Sequence, residues 1–339
     1  MTQERALAPI RHSTDFFLCD IFDATPKADM PSMSVPLFSL STRPDHEQRR
    51  YDFGNNRFVK IIPSGSGAAT VHDRDILIYA ISQIIAAKNA GRTIGQKIRF
   101  HGYDLLVATN RQVSGEGYAG MKAALDRLAG TRIETNVLSG GLEVTRNFGL
   151  VDEFEVVKEH RDGRMLAAEI KLSDWTWAAL EASEVLTLHR DYFRLRKPLE
   201  RRLYELARKH CGKQPRWHIG LEKLQQRTGS KATRRQFRQQ VRKITDDNAR
   251  HSHMPDYSFS FDDDVLTVKS RSSFLAQSET SPAILLSADT YERARALTPG
   301  WDITVLESEW RDWSAAKDVP PHDPDAAFLA FCRKKGPLR

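Results

Sequence analysis

The chain has 339 residues, enough for about two or three domains of ordinary size, and its 40% hydrophobic and 28% charged residues are proportions of a globular protein with buried cores. Its three cysteines (Cys19, Cys211 and Cys332) lie far apart with no CxxC pair, which argues against a disulfide framework or a zinc knuckle and fits a reducing compartment. No basic segment followed by an apolar run opens the sequence, and no stretch approaches the ~18–20 apolar residues of a membrane span. A soluble, cytoplasmic protein is expected, with no membrane partner.

Net charge is +7 at neutral pH, a weak signal by itself. Its distribution says more. Residues 190–250 hold 19 Lys and Arg against 6 Asp and Glu, a local balance of +13 that leaves −6 for the rest of the chain. Positive charge gathered in one segment is the footprint expected of a phosphate-binding surface.

In chain order, residues 1–50 are rich in Ser, Thr, Pro and Asp and read as a partly ordered arm with at most one short strand near Val35–Leu40. Residues 57–62 (RFVKII) read as a strand. Residues 73–89 carry Leu77, Ala80, Ile81, Ile84 and Ile85 at helical spacing, and Gly91 stops the helix. A short piece follows at 97–100, then a small helix at 103–108 and a Gly/Ser turn at 114–117. The helix predicted at 118–129 turns Met121, Leu125 and Leu128 inward, and Gly130 ends it. Strand-like runs come next at 132–138, 142–148 and 154–158, the first two joined by Ser139-Gly140-Gly141, a good hairpin turn. Helices followed by a hairpin are the order of a winged helix, whose third helix can lie in a DNA groove while the hairpin touches the flanking backbone.

The same order recurs. Residues 165–172 read as a strand, and Ser173-Asp174 caps a helix over 175–182. Pro198 opens a long helix at a position that tolerates proline, with Leu199, Leu203, Leu206 and Ala207 inward. A second helix is predicted over 219–228, a turn at Gly229-Ser230, and a third helix over 231–247. Strands at 257–261 and 265–269, joined by Asp262-Asp263-Asp264, form the second hairpin. Residues 272–282 read as a linker, and the remainder as short helices with an unusual aromatic load: Trp301, Trp310, Trp313, Phe328 and Phe331. The expected fold class is therefore α+β, as tandem winged-helix domains with a small helical C-terminal tail. The arm would occupy 1–50, the first domain 51–172, the second 173–271, and linker and tail 272–339.

The sharpest local signal is the run from Thr233 to Ile244. Phe237, Val241 and Ile244 share one face at i, i+4 and i+7, which turns Arg235, Gln239 and Arg242 to the opposite side with Arg238 and Lys243 on the flanks. Arg and Gln are the side chains that pair bidentately with guanine and adenine edges in the major groove. Arg227, Lys231 and Arg234 could hold phosphates. The competing reading is a solvated basic face, but few helices of that kind follow a helix-turn unit, precede a hairpin and lack acids until Asp246. Arg201 and Arg202, in the basic segment 190–202, can touch the DNA backbone or equally face solvent. The helix at 118–129 offers Ala123, Asp126 and Arg127 outward, a poor base reader, so the first domain is expected to contact phosphate or to dimerise.

His251-Ser-His253 near Tyr257 invites comparison with rolling-circle nickases, but no third metal ligand is evident. There is no Walker loop, HExxH or GxSxG. No catalytic residue, metal or cofactor is expected, and the chain reads as a binding protein with no active site of its own. The tail holds 8 bases and 10 acids, which disfavours nucleic acid and favours a protein partner, although aromatic residues can also stack on single-stranded bases.

Three strings, Asp15-Phe-Phe-Leu-Cys-Asp-Ile-Phe-Asp-Ala24, Pro36-Leu-Phe-Ser-Leu-Ser-Thr-Arg-Pro44-Asp45 and His72-Asp-Arg-Asp-Ile-Leu-Ile-Tyr-Ala-Ile-Ser-Gln83, resemble the replication initiator protein A family of bacterial plasmids. Pro198-Leu-Glu-Arg-Arg-Leu-Tyr-Glu-Leu-Ala207 is a further anchor, and the likeness extends over about residues 15–271. The resemblance implies a plasmid- and nucleoid-associated protein that binds direct repeats in double-stranded origin DNA, helps open the duplex and recruits host helicase or initiator proteins. It also implies two winged helices like those of other iteron-binding initiators, the first dimerising, in equilibrium with monomer, and the second reading DNA. Single-stranded DNA binding and transcriptional autorepression are the alternatives.

Overall fold

The computed structural model describes residues 7–9, 11, 19–20, 35–52, 58–139, 142–158, 165–181, 186–212, 214–271, 286, 288–299, 301, 303–315 and 323–337. The glycines of the expected turn at 139–141, the expected linker and most of the N-terminal arm lie outside these residues.

The first part of the chain runs β1 (Cys19–Asp20), β2 (Arg49–Asp52), β3 (Phe58–Ile62), α1 (Arg74–Asn89), β4 (Lys97–His101), α2 (Gly102–Ala108) and α3 (Gly115–Gly130). It continues through β5 (Arg132–Ser139), β6 (Leu142–Gly149), β7 (Val151–Lys158), β8 (Met165–Leu172), α4 (Asp174–Glu181) and β9 (Leu186–Thr187). A 3₁₀ turn (Arg190–Arg194) leads into α5 (Pro198–His210), β10 (Arg216–Gly220), α6 (Leu221–Thr228), α7 (Arg234–His251), β11 (Tyr257–Asp262) and β12 (Val265–Ser270). The chain closes with α8 (Ala288–Leu297), α9 (Ile303–Ala315) and α10 (Pro324–Lys335). The architecture mixes helix and sheet throughout.

One connectivity occurs twice. In the first half, α1, β4, α2 and α3 precede the β7–β8 pair, and the three strands form an antiparallel sheet in the order β4-β8-β7. In the second, α5, β10, α6 and α7 precede β11–β12, and the sheet order is again first, third, second: β10-β12-β11. The hairpin expected at 132–148 as the first wing is not part of this sheet. It forms β5–β6, which extends β2-β3 into a separate four-stranded sheet inserted between α3 and β7. The second repeat also differs from expectation at Ile219, which lies in β10 opposite Leu266, so the helix begins at Leu221. Five residues reading RWHIG are too short and too polar to announce a strand by alternation.

Three apolar clusters form. The first gathers α1, α2 and α3 against β3, β5 and β8, around Ile81, Leu125, Leu128, Ile133 and Ile170. The second joins α5, α6 and α7 to β11 and β12, around Leu203, Leu224, Phe237, Val241 and Val268. The third is the C-terminal helical module, with Leu306 and Trp310 against Phe328 and Cys332. Helix α1 serves two clusters at once: Leu77, Ile81 and Ile85 face the first, and Ile78 belongs to the second. Such a helix is buried nearly all round.

Charge crosses the same boundary. Arg74 at the start of α1 meets Glu205 of α5 at 2.6 Å, and Arg201 of α5 meets Asp75 of α1 at 2.6 Å. Arg202 adds a second cation to Glu205 at 3.1 Å, and the Tyr192 hydroxyl donates to the same carboxylate at 2.6 Å. All six side chains are buried. Burial opposes the Glu205 charge, but Arg74 and Arg202 outweigh it and hold the carboxyl below the usual glutamate range.

Candidate nucleic-acid interface

Helix α7 starts with a reciprocal cap. The Thr233 hydroxyl accepts from the Gln236 backbone N–H at 3.3 Å, and the Gln236 side-chain oxygen accepts from the Thr233 N–H at 3.1 Å. Phe237, Val241 and Ile244 are buried in the second cluster, as their spacing predicts. The far end is anchored by Asn248, whose Oδ1 accepts from the Met254 N–H at 3.1 Å and from Arg271 Nη2 at 3.3 Å. A rigid cylinder results, with one edge inside.

On its outer side Arg235, Gln239, Arg242 and Lys243 are exposed, and their side chains make no hydrogen bond or ion pair among the described residues. Arg238, on the flank, is committed elsewhere. It makes a bidentate pair with Asp264, and Arg234 approaches the same carboxylate at 3.6 Å. The hydrogen bond from Arg238 is the main reason that the Asp264 carboxyl sits below its ordinary range, and the same bond raises the Arg238 guanidinium. Asp264 belongs to the two-residue turn joining β11 to β12, where Asp263 and Asp264 both take left-handed φ of 46° and 58°. Its carbonyl accepts the Leu221 N–H at 2.7 Å. The hairpin is thereby fixed to both α6 and α7.

The expected phosphate ligands divide. Lys231 lies just before α7 and holds Asp45 at 2.7 Å and Glu47 at 2.8 Å. Burial works against its ammonium, but those two acids outweigh it and keep its pKa raised. Arg227 is half-buried at the end of α6 and contacts His210 Nε2 at 2.5 Å. Burial, then the Arg227 charge, pushes His210 down to about 4. Arg201 and Arg202 cannot serve as expected. They are 4% and 7% exposed and are consumed by Asp75, Glu205 and the carbonyls of Phe193, Leu195 and Arg227. Helix α5 is buried from Leu199 to Ala207, so Arg201 and Arg202 have no solvent to meet.

Helix α3, the counterpart of α7, is different. Arg127 pairs bidentately with Asp73 at 2.7 Å, and Asp126 pairs with Lys122 at 2.8 Å, so its polar side is neutralised internally. His253 is buried 3.3 Å from Glu200, and the Tyr257 hydroxyl donates to the Gly212 carbonyl at 3.0 Å. The feature that sequence reasoning missed is Arg49 on β2, buried beside the α6–α7 turn. Strand β2 itself carried no legible pattern.

The sequence matches the family described as replication initiator protein A over residues 27–259, more than half of the chain. The chain belongs to that family. A protein of Wigglesworthia glossinidia brevipalpis described as "Putative replication protein" is 34% identical over 263 residues, covering 76% of this chain and 94% of the relative. Membership places this initiator-family chain in replication initiation. Among solved structures, domains 2 and 3 of RctB superpose with a TM-score of 0.51 at 13% identity, over 71% of this chain and 97% of that one. A second crystal structure of the same two RctB domains gives the same score over 70% and 96%. At that identity the likeness is one of fold. Among the described residues no helix is long and apolar enough to cross a membrane.

Proposed function

We propose that this initiator binds repeated sequences in double-stranded plasmid origin DNA through two winged helices, with α7 as the base-reading helix. The repeated order of one helix, one strand, two helices and two strands, closed as a three-stranded sheet, supports the winged-helix reading of both halves. The observation that carries the function is the outer face of α7, where the side chains of Arg235, Gln239 and Arg242 are exposed and unengaged among the described residues while Phe237, Val241 and Ile244 are inside.

In this reading Arg235, Gln239 and Arg242 approach base edges in the major groove. Lys243, Arg234 and the β11–β12 hairpin fix register on the phosphates. Helix α3, with its charges paired internally, contributes little base reading, and the first half serves for dimerisation or backbone contact. The C-terminal module offers a protein-binding surface to host replication factors through the half-exposed Trp313 and its neighbour Phe331, whose rings lie 6.1 Å apart. The protein acts in the cytoplasm and performs no covalent chemistry of its own.

Fluorescence anisotropy with an origin repeat and with a random duplex tests the reading. Arg235→Ala and Arg242→Ala are each expected to lose about 1–3 kcal/mol on the repeat, with a much smaller loss on random duplex. Equal losses on both would show that these arginines serve only as charge.

A further inference from the structure

Arg49 is buried with the Tyr51 hydroxyl as a polar neighbour and no carboxylate paired to it among the described residues. Alternation on β2 turns Arg49 and Tyr51 inward and Arg50 and Asp52 towards solvent. Arg49 is 7% exposed, yet its Nε and Nη2 meet no hydrogen-bond acceptor among the described residues. A guanidinium carries five N–H donors and keeps its charge in proteins, so burying one calls for an anion. Arg74, Arg201 and Arg202 each have one. The acids closest to Arg49 in sequence are engaged elsewhere: Asp45 and Glu47 with Lys231, and Asp52 with Arg50.

Arg49 lines a cavity of about 480 Å³ between β2 and the turn from α6 to α7, also lined by Gln226, Ser230 and Lys231, whose ammonium is shared with Asp45 and Glu47. The walls are brought together by Gly229, which holds a left-handed φ of 71° so close to the first half that a Cβ would meet Pro36 Cγ at 2.6 Å and the Tyr51 hydroxyl at 3.1 Å. That hydroxyl lies within the field of three cations. Burial raises the Tyr51 pKa, while Arg49, Arg202 and Lys231 pull it back. Glu47 and Glu222 also line the cavity, but both are exposed and screened by water, whereas Arg49 is not.

We propose that this cavity is a phosphate site, with Arg49 as its anchor and Ser230 and Lys231 on its opposite wall. Its position beside the start of α7 makes a strand phosphate, flanking the bases that α7 reads, the fitting occupant. A free phosphate has the same chemistry. Only the choice of source rests on duplex binding by α7. A site of this kind would let the first half and the α6–α7 turn grip one phosphate jointly, and so couple the orientation of the two halves to DNA.

The test uses the full chain and Arg49→Met, which keeps the apolar stem and removes the charge; relief of an unpaired buried cation should leave the variant at least as stable as the parent. Melting is followed in inorganic phosphate and in chloride of equal ionic strength. Duplex binding is followed against salt. If the occupant is a strand phosphate, Arg49→Met weakens repeat and random duplex alike and lowers the slope of log K against log salt by about 0.9, while Arg49→Lys retains most of it. If it is a free phosphate, phosphate raises the melting temperature of the parent and not of Arg49→Met, with the salt slope unchanged. Either result supports the site and names its source. Identical behaviour of parent and Arg49→Met in both arms overturns it. Should the parent fail to bind duplex at all, α7 is not a DNA reader, yet the melting arm still decides the phosphate site.

Discussion

Replacing Glu205 by Gln should destabilise the protein far more than its size suggests. The carboxylate is 0% exposed and serves Arg74 at 2.6 Å, Arg202 at 3.1 Å and the Tyr192 hydroxyl at 2.6 Å. Glutamine keeps the shape and can still accept from Tyr192, but it removes the carboxylate charge that two buried guanidiniums share. Breaking a buried pair in this way costs about 3–5 kcal/mol. The lower end applies here, because Arg202 still donates to the Arg227 carbonyl at 3.1 and 3.0 Å and Arg74 still lies over the Phe38 ring at 5.4 Å. A loss of about 3 kcal/mol corresponds to a fall in Tm of about 6–12 °C for a cooperative unit of 150–250 residues. Urea denaturation should show a lower midpoint with unchanged slope. Glu153→Gln is the control, since its pair with Lys97 stands 59% and 61% exposed and should cost nothing measurable. If Glu205→Gln loses no more than Glu153→Gln, the buried charges do not join α1 to α5.

Gly229→Ala places a methyl against Pro36 and Tyr51 at a left-handed φ, which should cost about 1–2 kcal/mol from the backbone alone and more from the clash, read as a lower urea midpoint. Stability should also fall with acidification between pH 6.5 and 4. His72 and His210 are both held near 4 by burial and neighbouring arginines. In that window the unfolded chain takes up protons that the folded chain refuses, so each histidine removes up to about 3 kcal/mol as the pH drops. His210→Gln should flatten the urea midpoint between pH 7 and 4.5, and an unchanged profile would show that His210 is not depressed.

Much of the second half was legible because its signals are local. Phe237, Val241 and Ile244 recur at helical spacing, Thr233 and Gln236 stand at capping distance, and three consecutive aspartates mark a turn. What failed depended on distant partners. Arg201 and Arg202 look solvated in a basic run, but their acids include Asp75, 126 residues from Arg201. One clue was available: Arg202 follows Leu199 by three and precedes Leu206 by four, which places it on the buried stripe. A Gly-Gly turn is a strong hairpin signal and points to β5–β6 as the first wing, and nothing local reveals that β3 rather than β4 pairs with it. Arg49 left no trace, since a four-residue strand reading RRYD has no apolar alternation to detect.

The claim that α7 reads duplex DNA is tested most directly by protection of guanine N7 in the major groove of an origin repeat. The account predicts guanines shielded from methylation within each bound repeat, with one position losing its shield in Arg242→Ala while its neighbours keep theirs. A repeat bound with every guanine N7 still reactive, or protection that Arg235→Ala and Arg242→Ala both leave intact, would contradict it.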